Sequence, residues 1–588
     1  MNNILSKFRK RNIQTNLYHF VLVIFVIAVS VCLIAGLVIN YLTLSGSVKN
    51  FISGSNLPSL WVQTNQITAE DEEFFSSRFE YDKRYSFDSQ FKTGNYEYSG
   101  TFLISNGKTS IPYITEGDKE KGCYVDAKFA EKYRFGLNHS KVAFNYELNG
   151  ETKRIDFKIV GFVTLAEDLI IDENCVIFIE EKFFLDTLKL YFEGIEEADF
   201  SILNYNQILI KSDTTEQDVA DIIEFYETSS TKLESIRQKD DILSIIMLDK
   251  EIEIARNMLW IFPMIFVIIS VLVVVSAISQ MTLKERYNIG LLKSLGISNR
   301  QVLTNYCGYG SFIGFFGAVF GFILSPLIIP NMIFGAYDKI YNLPRDEMKL
   351  TCPVLLVVIV IFVSTLIGYF SALFACFNLT TKTPKECMNA RIKANLKSRQ
   401  KKSRLPAVIG APFRNMKLNI SRTIMSVVGI SGSSLLMIMG FGVERVLTKN
   451  AENKKLYSIG AFSNVFKGFS IALMMLTITI LIFQIFKERL KEMSMRRIQG
   501  ESYIKIWLSV LLEMVFVCMV GFLISATLSG PAMLLNLHIF GINEYFAINF
   551  LSFLKTFLII LLIVFLNAIF GFIKIRRLKL SEAIKFSE

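Results

Sequence analysis

The sequence has 588 residues and a formal net charge of +10, and 52% of its residues are hydrophobic. Its mean hydropathy is +0.40 and it contains 51 Phe, which excludes an ordinary soluble domain and indicates an α-helical integral membrane protein. The positive charge is typical of cytoplasmic Lys and Arg beside membrane spans, so we expect no nucleic-acid partner.

Residues 1–44 comprise a short basic tail and a first apolar run. The run, residues 17–42, is too long for the apolar region of a signal peptide and has no clear cleavage site. It exceeds the roughly 20 residues that a helix needs to cross a bilayer. We therefore expect an uncleaved first membrane span with the N-terminus in the cytoplasm.

Residues 45–249 form a polar insertion of mixed patterning, which we expect to fold as one extracytoplasmic α/β domain. Alternating segments on both sides of Asn149-Gly150 predict a β-hairpin over residues 142–163. A short strand is predicted at residues 207–211, and a helix is predicted at residues 215–226.

Cys123 and Cys175 are the two cysteines in this insertion, whereas the other six lie in or beside apolar runs. They could form one disulfide if the domain is extracellular, although the sequence does not show that they are close together. The three histidines have no metal-ligand spacing, so we expect no metal site.

The segment 250–378 is predicted to contain a stalk, the second span, a charged hinge, and the third and fourth spans. Residues 232–257 show helical periodicity without turn residues and continue into the apolar run 258–279. We therefore expect one continuous helix that connects the outer domain to the second span as a stalk.

A charged segment recurs between apolar runs, at residues 284–300 (the first hinge, KERYNIGLLKSLGISNR) and residues 487–502 (the second hinge, KERLKEMSMRRIQGES). Gly296 aligns with Gly500 at an offset of 204 residues (500 − 296). Each glycine can take the left-handed position that ends a helix, and Ser298 can cap the next one. We expect two short cytoplasmic helices, with Lys284, Glu285, Arg286 and Lys293 keeping the first at the water side of the membrane.

The third span, near residues 302–330, contains four glycines at steps of four, three and four residues, namely Gly310, Gly314, Gly317 and Gly321. They share one helix face and let a neighbouring helix approach closely. No GxxxxGK[ST] motif occurs in the sequence, so we interpret these glycines as packing residues and expect no nucleotide site in this chain.

Residues 379–420 form a basic linker that we expect in the cytoplasm, where it can also contact anionic lipid. Residues 421–588 repeat the first half with four more spans and only a short outer loop. The predicted fold is two repeats of four transmembrane helices with one extracytoplasmic domain between spans 1 and 2, and with both termini cytoplasmic. Glu444-Arg445, at the outer end of the fifth span, is predicted to be an interfacial ion pair.

The first hinge resembles the signature of FtsX/MacB-type ABC transporter permeases. Residues 289–296, IGLLKSLG, are similar to the family string RxxEIGxLKxLG, with Asn288 in place of its usual Glu. The second hinge keeps Arg489, Glu492, Arg497 and Gly500 but has Met-Ser in place of Ile-Gly. The order of segments in the outer domain is similar to MacB-type permeases, and residues 383–388 and 580–584 resemble the family's P-x-E-A-L tail.

This resemblance implies a plasma-membrane permease that works by mechanotransmission with two copies of a separate ABC ATPase, which would bind ATP and Mg²⁺. The chain itself would have no catalytic residue and no cofactor. The residues expected to couple to the ATPase are Glu285, Arg286, Ile289, Gly290, Lys293, Gly296, Arg489, Glu492, Arg496, Arg497 and Gly500.

Glu513 is the acid that lies well inside a predicted span, where burial without a partner would cost at least about 2.5–3.5 kcal/mol. We weigh a structural partner for it against a proton-relay role. Export of, or resistance to, a peptide or other amphipathic molecule is the function we expect. The alternatives are a signalling scaffold that activates an external hydrolase or a sensor kinase, and an ion-coupled transporter that depends on Glu513.

Overall fold

The computed structural model describes residues 14, 17–118, 122–137, 139–148, 150–171, 174–192, 203–388, 410, 412–414, 416, 420–449, 457–539 and 548–576. The chain divides into a helical unit (Met1–Asn40, Ile254–Ile333 and Cys352–Glu588) and a β-rich unit (Tyr41–Glu253 and Phe334–Thr351). Most of the predicted basic linker, residues 379–420, and the tail 580–584 lie outside the described residues.

The α-helices of the described residues are numbered here in chain order. They are α1 (Leu17–Gly54), α2 (Ala69–Ser76), α3 (Ala127–Tyr133), α4 (Glu181–Tyr191), α5 (Glu216–Thr228), α6 (Leu243–Lys284), α7 (Arg286–Ser294), α8 (Asn299–Tyr337), α9 (Val354–Thr380), α10 (Pro384–Met388), α11 (Ile420–Lys449), α12 (Tyr457–Ile498), α13 (Tyr503–Ile539) and α14 (Phe550–Arg576).

The strands are numbered in the same way. They are β1 (Leu60–Thr64), β2 (Tyr81–Thr93), β3 (Tyr96–Ser105), β4 (Tyr113–Gly117), β5 (Cys123–Asp126), β6 (Lys141–Leu148), β7 (Glu151–Thr164), β8 (Cys175–Glu180), β9 (Gln207–Ile210) and β10 (Leu233–Gln238).

Within the described residues, eight helices are long and apolar enough to cross a membrane, namely α1, α6, α8, α9, α11, α12, α13 and α14. Each corresponds to one predicted span, because a run of about 20 apolar residues is a strong signal that needs no tertiary context. The prediction of eight spans is confirmed in length and composition, and the chain is a multi-pass membrane protein.

A closed barrel forms the main part of the β-rich unit. Strands β2, β3, β8, β5, β7 and β6 pair in that order, and β6 returns to pair with β2. Alternate side chains point into the barrel, where Phe91, Phe102 and Phe157 are almost fully buried. Burying each such side chain contributes roughly 1.5–3 kcal/mol. The unit is therefore richer in β-structure than the α/β domain that we expected.

The predicted hairpin corresponds to β6 and β7, and Gly150 takes φ +82° between them, whereas Asn149 lies outside the described residues. The predicted strand at residues 207–211 corresponds to β9. The predicted helix at residues 215–226 corresponds to α5, whose N-cap is Thr215. These elements are confirmed because their signals are local.

A smaller sheet extends from β2 in the order β10, β1, β9, β2. Helices α2 and α5 belong with this sheet, and Phe74 and Phe225 stack with ring centroids 4.0 Å apart. The expected helix over residues 232–257 is wrong in its first part. Leu233–Gln238 forms β10, which pairs with β1, and helix α6 begins only at Leu243. Pairing with a strand more than 160 residues away overrides the local helical periodicity.

Candidate functional site

The first hinge ends in a Schellman turn. Gly296 takes φ +88°, in the left-handed region, and its backbone N–H donates to the Lys293 carbonyl (3.0 Å). The next N–H, of Ile297, donates to the Leu292 carbonyl (3.1 Å). These two bonds satisfy carbonyls that a helix end would leave unpaired, and they reverse the chain in a fixed direction.

The second hinge ends in the same turn. Gly500 takes φ +87° and its N–H donates to the Arg497 carbonyl (3.1 Å). The N–H of Glu501 donates to the Arg496 carbonyl (3.0 Å). Each of these residues stands 204 positions after its counterpart in the first hinge, so the two turns have the same backbone geometry at that offset.

A serine follows each turn and begins the next helix. The N–H of Gln301 donates to the Ser298 hydroxyl (3.3 Å), and Ser298 N–H donates back to the Gln301 side chain (3.2 Å). In the second hinge, Lys505 N–H donates to the Ser502 hydroxyl (3.4 Å). The preceding helices differ, since α6 and α7 are separated at Glu285 whereas α12 is one helix through the second hinge.

The inner face of α7 packs on the short helix α10. A Cβ on Gly290 would lie 2.6 Å from Met388 Cγ and 3.0 Å from Cys387 Cβ, so the close approach requires glycine. The Lys293 ammonium donates to the Lys382 carbonyl (2.6 Å), just before α10. The P-x-E-A-L-like segment thus supports the first hinge from the side.

A buried polar contact fixes each hinge to the span that follows it. In the first, the Tyr306 hydroxyl donates to a Glu285 carboxylate oxygen (2.5 Å). In the second, Arg489 donates two hydrogen bonds to Glu513 (2.5 and 2.9 Å). Glu285 and Arg489 occupy equivalent positions at the 204-residue offset, although their charges are opposite. Glu513 therefore has a structural partner.

The structure corrects the expected coupling face. The charged residues of the first hinge were expected at the water side, yet Glu285 and Lys293 are buried, because α8 and α10 cover them. Arg489 is buried and paired with Glu513. The predicted coupling residues fall into three groups by exposure. The buried ones are Glu285, Ile289, Gly290, Lys293 and Arg489. The partly exposed ones are Arg286, Glu492, Arg496 and Arg497, and the exposed ones are Gly296 and Gly500.

Apolar side chains form much of the exposed face of each hinge. In the first, Tyr287, Leu291 and Leu295 lie at i, i+4 and i+8, and Leu291 is 43% exposed. In the second, Met495 and Ile498 are exposed, at 51% and 56%. Met495 is the counterpart of Leu291 at the 204-residue offset. These exposed apolar residues were not predicted from the sequence, although the i, i+4 spacing of Tyr287, Leu291 and Leu295 was a usable signal.

Arg496 and Arg497 are held close to the second hinge itself. The Arg496 guanidinium lies 2.9 Å from a Glu501 carboxylate oxygen. The Arg497 guanidinium lies 5.7 Å from the centre of the Tyr503 ring. Both side chains remain partly exposed, so they can contribute charge at the rim of an interface.

In the β-rich unit, Glu167 connects the barrel, the smaller sheet and the start of α6. Its carboxylate forms an ion pair with Arg84 and accepts hydrogen bonds from Trp61 Nε1 (2.7 Å) and Ser110 (3.0 Å), and its carbonyl accepts one from the Ser244 hydroxyl (3.2 Å). Burial raises the pKa of Glu167, but the charge and hydrogen bonds of Arg84 outweigh burial, so its pKa lies below its usual value.

The segment that follows α8 docks on the same unit. Asn342 N–H donates to the Leu169 carbonyl (2.7 Å), and its side chain donates to Asp126 (2.5 Å) and accepts from Thr164 (3.1 Å). Residues Ile170 and Tyr341 add a β-bridge. This attachment was not predicted, because nothing local in the sequence of residues 338–351 indicates it.

The four glycines of α8 contact two helices. A Cβ on Gly310 would lie 2.2 Å from the Gly368 carbonyl oxygen of α9, and one on Gly314 would also meet α9. Those on Gly317 and Gly321 would instead meet α1. The glycine face of α8 therefore lies close to two neighbouring helices, at different positions along α8.

Two smaller expectations also change. Glu444 was expected to pair with Arg445, but its carboxylate accepts a hydrogen bond from Lys467 (2.9 Å), because α12 brings that lysine beside it.

Cys123 and Cys175 are both free and buried in adjacent strands of the barrel. Among the described residues, no group of three or more His, Cys, Asp or Glu side chains could hold a metal ion.

Two segments of the chain, residues 260–384 and 464–580, match the FtsX-like permease C-terminal family. They begin 204 residues apart (464 − 260), the same offset that relates the two hinges. Each match contains one hinge and the spans on both sides of it. A search of curated proteins finds no match.

Proposed function

We propose, on the premise that this FtsX-like chain is the permease component of an ABC-type system, that it binds two copies of a separate ABC ATPase through its two hinges. One chain would supply both docking helices, as two unequal repeats of four spans. ATP and Mg²⁺ would be bound by the ATPase subunits. The chain would export, or confer resistance to, a peptide or another amphipathic molecule.

The observation that carries this proposal is the matched geometry of the hinges. Both end in the same Schellman turn, both are fixed to the next span by a buried polar contact, and both expose apolar side chains. A helix that presents spaced apolar side chains is suited to a groove on a partner protein. The structure also supports a role for apolar contacts at the centre of that interface and for Arg496 and Arg497 at its rim.

Mechanotransmission is supported by how the first hinge connects to the β-rich unit. Helices α6 and α8 flank the first hinge, and each has its far end in the β-rich unit. There Ser244 at the start of α6 contacts Glu167, and Asn342 just after α8 contacts Asp126 and Thr164. In our proposal, ATP-driven movement of the first hinge reaches the β-rich unit through both helices rather than through one stalk.

We place the chain in the plasma membrane, with both termini and both hinges in the cytoplasm and the β-rich unit outside. The basic residues of 1–16 and 379–420 support this orientation through the positive-inside rule. Membrane lipid is then a partner on both sides.

Co-purification tests the docking helices. Leu291→Asp and Met495→Asp should each lower the apparent affinity for a co-expressed ABC ATPase by about tenfold or more, because a charge would enter an apolar contact. The matched controls Leu291→Met and Met495→Leu should bind normally. The mass of the solubilised complex should correspond to one chain and two ATPases. Normal binding by both Asp variants, or two chains per ATPase dimer, would overturn the proposal.

A further inference from the structure

Two lysines from different helices of the helical unit converge on one aromatic ring. The Lys467 ammonium (α12) lies 5.4 Å from the centre of the Phe441 ring, and the Lys555 ammonium (α14) lies 5.2 Å from the same centre. The carboxylate that pairs with this cluster is Glu444, which accepts from Lys467. Lys555 forms no ion pair with any residue that the structure describes.

The residues of this cluster belong to helices that are long and apolar enough to span a membrane, and they lie near one end of each. Lys467 is five residues into the span Phe462–Phe486, Lys555 is five residues into Phe550–Ile573, and Phe441 is four residues before the end of Thr423–Arg445. Five residues correspond to about one and a half helical turns. Charged side chains within transmembrane segments are rare and often mark sites for ligands or ions, and a lysine near a helix end can reach the interface with its ammonium group. Among the described residues, two ammonium groups with one carboxylate leave an excess positive charge in this cluster.

The sequence provides a second, independent observation. Residues 446–461, which connect the fifth and sixth spans and which our proposed orientation places outside, contain three Lys and one Glu. This excess contradicts the positive-inside rule. The β-rich part of the chain, residues 41–253, is proposed to lie on the same side and has 22 Lys or Arg against 39 Asp or Glu. The positive charge of the short loop is therefore not a general property of that side.

Apolar side chains flank the lysines on the exposed face of α14. Leu551 and Leu558 lie at i−4 and i+3 from Lys555, so the three share one face, and both leucines are more than half exposed. An ammonium group above a row of exposed leucines is complementary to a molecule with an anionic head and acyl chains. A soluble anion would leave that apolar face unused.

We propose that Lys467, Lys555 and Phe441 bind the phosphodiester headgroup of an anionic lipid from the outer leaflet, with its acyl chains on the leucines of α14. The assignment to the outer leaflet rests on the proposed orientation, whereas the binding site itself does not. In this proposal each lysine near the end of its span extends its apolar stem along the protein surface and reaches the headgroup with its ammonium group.

Photocrosslinking of the detergent-solubilised full chain tests this site. The probes are phosphatidylglycerol and phosphatidylcholine that carry a diazirine in the acyl chain, and adducts are mapped on peptides that contain residues 551–558. Phosphatidylglycerol should label these peptides at least about fivefold more than phosphatidylcholine, since one lysine attracts an anionic lipid by about 1 kcal/mol. Lys555→Gln should lower that labelling by about fivefold, and Lys467→Gln/Lys555→Gln should lower it further.

Lys505→Gln, at the start of α13 beside the second hinge, is the matched control. In this variant the peptides with residues 551–558 should be labelled as in the unsubstituted chain. Lys555→Gln is the decisive variant because it breaks no ion pair within the described residues and should keep ATPase co-purification. Three results would each overturn the lipid site. They are equal labelling by the two lipids, unchanged labelling of Lys555→Gln, and loss of labelling when inorganic phosphate is added at the concentration of the lipid probe. None of these outcomes depends on whether the hinges bind an ATPase.

Discussion

Arg489 and Glu513 form a two-point ion pair inside the helical unit. Arg489 Nη1 lies 2.5 Å from one carboxylate oxygen of Glu513, and Nη2 lies 2.9 Å from the other. The two side chains are only 8% and 1% exposed. The pair joins α12 to α13 across the second hinge, so the direction of that hinge depends on a contact between residues 24 positions apart.

The first prediction concerns this pair. Replacing one partner, as in Glu513→Leu, should destabilise the helical unit by about 3–5 kcal/mol, because it leaves the Arg489 charge buried without its partner. The double variant Arg489→Met/Glu513→Leu should recover most of that loss. Thermal unfolding of the solubilised chain measures both. If Glu513→Leu alone is as stable as the unsubstituted chain, the pair does not hold the hinge.

The second prediction separates two kinds of glycine in the first hinge. A Cβ at position 296 has open space around it, but the residue must keep φ +88°. Gly296→Ala should therefore lower the free energy of unfolding by about 1–2 kcal/mol through backbone strain alone. Gly290→Ala has an ordinary helical backbone, but its Cβ would meet Met388 at 2.6 Å and should displace α10. Cysteine reactivity at Cys387, which is buried beneath Gly290, should rise only in Gly290→Ala. Equal reactivity in both variants would contradict this assignment.

The third prediction concerns the attachment after α8. Asn342→Ala removes the partner of Asp126 and Thr164, and leaving such buried groups unpaired costs about 1–3 kcal/mol. Amide exchange at Ile171, whose N–H donates to the Ile340 carbonyl (2.9 Å), should become about tenfold faster or more. Asn331→Ala, which removes an exposed amide from α8 itself, is the control. Unchanged exchange in Asn342→Ala would show that the segment is not clamped.

The fourth prediction is a pH dependence at Glu167. The pKa of Glu167 in the folded chain lies below the usual value of about 4.3. The ionised carboxylate therefore contributes its full stabilisation above that pH, and the contribution is lost as pH falls through the pKa of the folded chain. The unfolding temperature of the β-rich unit should therefore fall below about pH 4.3, and Glu167→Gln should flatten that fall.

Trp61 reports this transition directly because its indole N–H donates to Glu167. Replacing Trp260 and Trp507 by Phe leaves Trp61 as the single tryptophan fluorophore of the chain. A Glu167→Gln variant with the same acid slope as its parent would refute the role of this carboxylate.

The fifth prediction is the orientation of the chain. A cysteine at Asn95, an exposed residue just before β3, should react with an impermeant thiol reagent in intact cells. One at Gln499, exposed in the second hinge, should react only after permeabilisation. Cys352, the exposed native cysteine of the described residues, must first be replaced by Ala. The opposite labelling pattern would reverse the proposed orientation.

The sequence alone determined the features that depend on neighbouring residues. Eight apolar runs specified eight span-length helices, because helix length follows from local hydropathy. The left-handed turns at Gly296 and Gly500, and the cap at Ser298, followed from residue types at fixed spacings.

Only the tertiary structure decided which side chains of the hinges are exposed. From the sequence, Lys293 is expected at the protein surface. It is buried in the structure because its ammonium group donates a hydrogen bond to the Lys382 carbonyl, in the segment that leads into α10. The Arg489 guanidinium forms an ion pair with Glu513. Strand β10 forms because it pairs with β1. Periodicity fixes where each side chain points around its own helix, but the element that covers that side is supplied by a distant part of the chain.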